Sequence, residues 1–140
     1  MKQLILGCFL TLLAGSIIYL FFRTDTLLIF KWLAIFSIDE TLFGIRELTQ
    51  NIKPHLPNWI IFSLPDGLWV FSYVSLTLLL WNNIITRANF MWVFLIPTIA
   101  ISSELGQLFK IVQGTFDITD IFFYVVGTIL PILIFLNKSG

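Results

Sequence analysis

Four apolar stretches, each close to twenty residues long, constrain the fold of this chain more than any other feature. A hydrocarbon core of about 30 Å is crossed by about 20 apolar residues in a helix, so each stretch is long enough to span a bilayer. Backbone groups in lipid must be paired internally, and the alternating pattern of a barrel strand is absent, so helices are expected. The predicted spans are 4–22, 67–85, 90–109 and 118–136.

The balance of residue types agrees with a membrane environment. Hydrophobic residues make up 58% of the chain and charged residues only 11%, whereas a soluble domain has about 25% charged residues. We therefore predict an all-α integral membrane protein, in which residues 1–140 form a single domain built as a four-transmembrane-helix bundle. Cys8 is the only cysteine, so the chain has no internal disulfide.

The segment 26–58, between the first two spans, is predicted to be an interfacial amphipathic helical segment. Residues 26–36 are apolar but about half a span long, and they include Lys31. Ser37 and Glu40 form a capping-box pattern that would start a fresh helix. Apolar residues then recur at helical spacing, as expected for a helix lying flat on the membrane surface: Leu42, Ile45, Leu48 and Ile52.

Charge is strongly polarised across the predicted membrane. With four crossings, all eight acids and five bases fall on one side, which gives that side a net charge of −3. The other side has three bases and no acid. The acids are Asp25, Asp39, Glu40, Glu47, Asp66, Glu104, Asp117 and Asp120.

Several of these acids are predicted to meet at one depth. Glu104 lies five residues before Phe109, about 7–8 Å inside the end of the third span, and Gln107 shares its helix face. Asp66 opens the second span on the same side of the membrane, and Asp117 and Asp120 lead into the fourth. An acid placed in hydrocarbon is costly, which makes this cluster the candidate site.

Each of these residues also has a purely structural interpretation. Asp66, Asp117 and Asp120 could be N-caps, since aspartate is a preferred capping residue and suits the helix dipole. Glu104 could be hydrogen-bonded to Gln107 or to a neighbouring helix as packing glue. These alternatives stay open at the level of the sequence.

Several function classes are excluded or disfavoured. The sequence has no serine–histidine arrangement, no Cys/His zinc spacing and no glycine loop for phosphates. Asp117 and Asp120 have a spacing that could hold a divalent ion, but it is common by chance, so we predict no metal and no cofactor. Acidic segments without a basic patch exclude nucleic acid as a partner.

The stretch from Ser103 to Gly127 resembles the signature of VanZ-like membrane proteins. The resemblance rests on Glu104 with Gln107, on the turn Gly114–Asp117, and on a fourth span that carries Asp120, Tyr124 and Gly127. The stretch from Leu64 to Leu76, in which Asp66 opens a span, is similar to the family's earlier motif.

The resemblance implies a small multi-pass protein of the bacterial inner (plasma) membrane, with Asp66, Glu104, Gln107, Asp117, Asp120 and Tyr124 as candidate ligand-binding residues. This sequence departs from many members at two positions. Gln113 stands where they have arginine and Tyr124 where they have asparagine. If an anionic ligand needs a basic residue, this protein either binds another ligand or recruits Lys110.

Three functions from different classes follow. The cluster could bind or modulate a membrane lipid or a cell-envelope precursor whose headgroup bears hydroxyls or amines. The chain could instead be a structural subunit that docks a membrane partner or a second copy of itself. It could also be an intramembrane enzyme with Glu104 as general acid or base and Asp66 or Asp120 as its partner; we favour a non-enzymatic function.

Overall fold

The computed structural model describes residues 2–23, 49 and 51–136. In those residues the chain is helical and contains no strand. Within the described part of the chain, five α-helices are assigned, with one 3-10 turn at Lys53–His55. They are α1 (Lys2–Phe22), α2 (Asn58–Ile61), α3 (Ser63–Leu80), α4 (Phe90–Leu108) and α5 (Ile118–Phe135).

The all-helical class and the four long apolar helices are confirmed. Within the described residues, α1, α3, α4 and α5 are each long and apolar enough to cross a membrane. Three of them lie within two residues of the predicted spans. Such a set of helices is what a multi-pass membrane protein requires.

The predicted bounds of the second span, 67–85, were wrong by several residues, because the helix runs from Ser63 to Leu80. Pro65 is tolerated in the first turn, where its missing N–H would have no partner in the helix. Asn82 and Asn83 end the helix in the left-handed conformation, with φ of 51° and 63°, and the N–H of Asn83 reaches back to the carbonyl of Leu78 at 2.7 Å.

Much of the predicted interfacial segment 26–58, including the capping box at Ser37 and Glu40, lies outside the described residues. The described part returns to the end of α1, where the Thr49 hydroxyl donates to the Phe21 carbonyl at 3.0 Å. The short helix α2 then leads into α3, and Trp59 of α2 stacks on Phe123 of α5 with ring centroids 5.6 Å apart.

Helix α3 is at the centre of the bundle. Half of its spanning window is buried, against 17% for each of the other three long helices. Small side chains allow α1 to approach it, because close helix packing without a hydrophobic driving force depends on small residues and interhelical hydrogen bonds. The Ser72 hydroxyl donates to the Cys8 carbonyl at 2.9 Å, and Gly15 lies against the Trp69 indole.

Two glycines form the contact between α3 and α5. A Cβ added at Gly127 would lie 2.4 Å from the carbonyl oxygen of Gly67, and one added at Gly67 would lie 2.8 Å from Cβ of Phe123. The two backbones are therefore in direct contact, which only glycine permits at these positions. This crossing places the first turn of α3 beside the first turns of α5.

Helix α4 is less enclosed than α3. Its buried residues are Val93, Pro97 and Glu104. The Tyr73 hydroxyl of α3 donates to the Trp92 carbonyl and so links the two helices toward the end where α4 begins. At the opposite end, the last turn of α4 lies beside the first turns of α3 and α5.

We predict that Gly127→Ala lowers the free energy of unfolding by about 1–3 kcal/mol, the usual cost of inserting a methyl group into a filled contact. The measurement is an unfolding titration of the purified protein in detergent micelles. The added Cβ must push α3 and α5 apart, since the atom it meets is a backbone oxygen.

Gly7→Ala in α1 is the matched control for this substitution. It brings the same gain in helix propensity, but its Cβ would meet the Phe135 ring at 3.4 Å, an ordinary contact distance. Equal changes in unfolding free energy for the two variants would contradict the assigned crossing.

Candidate functional site

A cavity of about 540 Å³ opens at the end of the bundle where α3 and α5 begin and α4 ends. The structure brings all six predicted site residues to this cavity. They are Asp66, Glu104, Gln107, Asp117, Asp120 and Tyr124, and five further residues complete the lining: Arg23, Asn58, Phe62, Ser103 and Thr115.

Glu104 is almost fully buried, with 5% of its surface exposed, and both of its carboxyl oxygens are hydrogen-bonded. The Gln107 amide donates to Oε1 at 3.2 Å, and the backbone N–H of Asp117 donates to Oε2 at 3.3 Å. The bond to Gln107 matches the helix face that the sequence predicted. Glu104 thus also ties α4 to the turn before α5, which is the structural role that the sequence left open.

The turn between α4 and α5 is shaped to fit around Gln107. Gly114 has a φ of 142°, a conformation that side chains with a Cβ rarely adopt. A Cβ at this position would also lie 2.7 Å from the Gln107 side-chain amide. Glycine is therefore required both for the backbone conformation and for the space that Gln107 occupies.

Asp117 is the N-cap of α5, as one of the sequence interpretations proposed. Its Oδ1 accepts from the Thr119 backbone N–H at 2.9 Å and from the Thr119 hydroxyl at 2.6 Å. These bonds from Thr119 hold the pKa of the Asp117 carboxyl below its usual range. The Thr119 hydroxyl also lies 3.0 Å from the Ser63 hydroxyl of α3, so the cap connects the two helix starts.

Asp66 is not a cap, and that interpretation was wrong. The N-cap of α3 is Phe62, so Asp66 lies inside the first turn with its side chain turned to the cavity. The Tyr124 side chain of α5 lies close to this carboxyl group, and both side chains line the cavity. Arg23, at the end of α1, approaches the same group, with Nη2 of Arg23 4.0 Å from Oδ2 of Asp66.

Arg23 is held at the cavity by two aromatic rings. Its guanidinium carbon lies 5.2 Å from the ring centre of Tyr19 and 5.1 Å from that of Phe62. Both distances are within the range of a cation–π interaction. The guanidinium thus has a defined position at the wall of the cavity, close to Asp66.

Asp120 lies in the first turn of α5 and contributes a buried acceptor. Among the described residues, its Oδ1 atom is buried and has no hydrogen-bond partner. Buried polar atoms are nearly always paired, so a buried acceptor without a partner needs an explanation. Its carboxyl group is close enough to interact electrostatically with Asp66 and Glu104.

The positive charge at the site comes from Arg23, not from Lys110. Lys110 is exposed in the turn after α4 and is not among the cavity-lining residues. From the sequence, Arg23 was predicted only to be one of the five bases on the acidic side. The usable signal was its position four residues after Tyr19, which puts ring and guanidinium on one helix face.

The arrangement is suited to binding groups that donate hydrogen bonds. Four carboxyl groups line the cavity with one guanidinium. Among the described residues, no group of three or more potential ligands is placed to hold a metal ion. The pairing of Glu104 with Asp66 or Asp120 as general acid and base remains a prediction.

We predict that Asp117→Ala lowers the free energy of unfolding, because it removes the N-cap acceptor of α5. Asp117→Asn keeps an oxygen that can accept from Thr119, so it should retain most of the stability. Unfolding titrations of both variants in the same detergent provide the measurement. Equal losses would show that the charge of Asp117, and not its capping bonds, stabilises the start of α5.

No protein family model matches this sequence, and comparisons with curated proteins and with solved structures likewise give no match. A function can therefore be proposed only from the geometry of the cavity and from the motif resemblance in its lining.

Proposed function

We propose that this chain is a VanZ-like multi-pass protein of the bacterial inner membrane that binds a lipid or envelope precursor, and that the amine-bearing headgroup occupies the polar cavity. One observation carries the proposal. Carboxyl groups from α3, α4 and α5 surround one cavity of about 540 Å³, and the buried Oδ1 of Asp120 has no partner among the described residues.

The surplus of acceptors favours an ammonium group over a neutral headgroup. Asp66, Glu104 and Asp120 lie close to one another, and Arg23 is the positive side chain in the lining. Carboxylates close together are unfavourable unless a positive charge or bound protons compensate them. A primary ammonium supplies three N–H donors and a positive charge, so its bonds to carboxylates are charge-assisted and strong.

Arg23 adds a place for an anionic group on the same ligand. A guanidinium has five N–H donors in a fixed plane, so it can contact a phosphate while it remains near Asp66. A headgroup with a phosphate and an ammonium a few bonds apart would place one beside Arg23 and the other among the carboxyl groups. Phosphoethanolamine has this combination.

The position of the cavity supports a headgroup more than a group from the bilayer centre. The lining comes from the first turns of α3 and α5 and the last turn of α4. If these helices cross the bilayer, their ends lie near the boundary between hydrocarbon and headgroups, which is where a lipid phosphate and amine are located.

We predict that the purified full-length chain binds dioleoyl phosphatidylethanolamine more tightly than dioleoyl phosphatidylglycerol or phosphatidylcholine. The glycerol headgroup has no ammonium, and the choline headgroup has no N–H donor. Asp120→Asn should weaken phosphatidylethanolamine binding about tenfold or more, the loss expected when a hydrogen bond to a charged group is weakened. Native mass spectrometry in detergent, titrated with each lipid, gives the affinities.

Lys110→Gln is the matched control, because it changes the charge at the same end of the bundle without altering the cavity lining. It should bind phosphatidylethanolamine as the unaltered chain does. Thermal denaturation checks that Asp120→Asn is folded. Equal affinity for the three lipids, or an Asp120→Asn variant with undiminished binding, would refute the proposed headgroup site.

A further inference from the structure

We infer that the site holds a whole lipid molecule, with one hydrocarbon chain in an apolar cavity between α3 and α4 directly beneath the headgroup. This inference rests on the proposed function, since it extends the same site. It makes the ligand an amphiphile that enters sideways between two helices, and it assigns a binding role to Ile96 and Ala100, which lie outside the stretches of the motif resemblance.

The apolar cavity has a volume of about 230 Å³ and adjoins the polar one. Asp66 and Tyr124 line both cavities. The other residues that line it are apolar or aromatic: Trp69, Val70, Ile96 and Ala100. The wall therefore changes from carboxyl groups to hydrocarbon across Asp66 and Tyr124, as the surface of a lipid changes from headgroup to chain.

Helix geometry gives the direction of the apolar cavity. Ala100 and Ile96 precede Glu104 by four and eight residues on α4, so they lie about 6 Å and 12 Å further from the end of that helix. Val70 follows Asp66 by four residues on α3 and lies about 6 Å further into the bundle. The cavity thus runs along the helix axes away from the polar end, in the direction that a chain takes from its headgroup.

The packing of α4 leaves room for such a chain. Ile96 is 38% exposed, and Glu104 is the one buried residue of α4 beyond Pro97. Toward this end, α3 and α4 face each other across the cavity. A hydrocarbon chain would fill that space and make dispersion contacts with the side chains of its wall. The apolar surface of the wall would then be shielded, from water before the protein enters the membrane and from disordered lipid afterwards.

Another apolar cavity, between Phe71 and Phe123, does not have this property. Its volume is about 140 Å³, and it shares no lining residue with the polar cavity. A chain placed there would not extend from a headgroup beside Asp66 and Asp120. The shared lining residues Asp66 and Tyr124 are what select the cavity between α3 and α4.

The test fills the apolar cavity and leaves the polar one intact. Ala100→Phe places a ring where the chain would lie, and Ile99→Phe is its matched control, since Ile99 is the adjacent residue of α4 and is 56% exposed. Two probes are used with the full-length chain in detergent: dioleoyl phosphatidylethanolamine, followed by native mass spectrometry, and water-soluble glycerophosphoethanolamine, followed by ligand-observed NMR.

We expect Ala100→Phe to weaken binding of the lipid by about tenfold, which is what burial of two methylene groups supplies. Binding of glycerophosphoethanolamine should be unchanged, and Ile99→Phe should alter neither. In the unaltered protein, a phosphatidylethanolamine with a photoreactive diazirine in its acyl chain should label α3 and α4 near Val70, Ile96 and Ala100. This measurement decides the question if Ala100→Phe does not fold.

The outcomes separate the two proposals. If neither probe binds the unaltered chain, the proposed function fails and the inference fails with it. If both probes bind and Ala100→Phe binds the lipid as tightly as Ile99→Phe does, the chain site alone is overturned. Photolabelling confined to other surfaces of the bundle would overturn it as well.

Discussion

The direct contact of two backbones, at Gly67 and Gly127, determines where every other part of the site lies. With the carbonyl oxygen of Gly67 in the space that a Cβ of residue 127 would need, the backbones of α3 and α5 are in direct contact. Asp66 is adjacent to this contact on α3. Tyr124 and Asp120 precede it by three and seven residues on α5, so they lie on the same helix face. Asp66 and Asp120 line one cavity because the helices that carry them are in direct contact at this crossing.

This geometry brings several carboxyl groups to one cavity, and the repulsion between their charges is compensated in different ways. Glu104 receives two hydrogen bonds, and Asp117 is fixed by its capping bonds to Thr119. Asp66 has Tyr124 and Arg23 beside it. The remaining acid, Asp120, has a buried oxygen without a partner among the described residues. A hydrogen-bond donor is therefore missing at Asp120, which lines the cavity of about 540 Å³.

The sequence was sufficient for the fold class and for much of the site because hydropathy and membrane sidedness are simple, additive constraints. Spans of about twenty apolar residues predicted the helices, and counting crossings placed Asp66, Glu104 and Asp120 at one end. The sequence was insufficient where a contact between two helices determines the position of a residue. The start of α3 at Ser63 depends on how the end of α2 connects to Pro65. Hydropathy is a mean over a window of residues, so it does not resolve this connection.

Arg23 shows the same limit for the site. Its role depends on Phe62, a residue 39 positions later in the chain, whose ring centre lies 5.1 Å from the guanidinium carbon. The pairing of Arg23 with Asp66 requires the end of α1 and the start of α3 to lie at the same depth. Counting spans predicts these two positions only to within several residues. Positions set by a long-range contact are thus the ones that periodicity and spacing miss.

The bond from the peptide N–H of Asp117 to Glu104 has a consequence for mutational tolerance. Since the donor belongs to the main chain, nineteen of the twenty amino acids could stand at position 117 and still supply it, and proline alone could not. Substitutions at position 117 would change the stability of the first turn of α5. The hydrogen bond from the backbone N–H to Glu104 would remain. The hydrogen bond that holds Glu104 therefore does not depend on which side chain residue 117 carries.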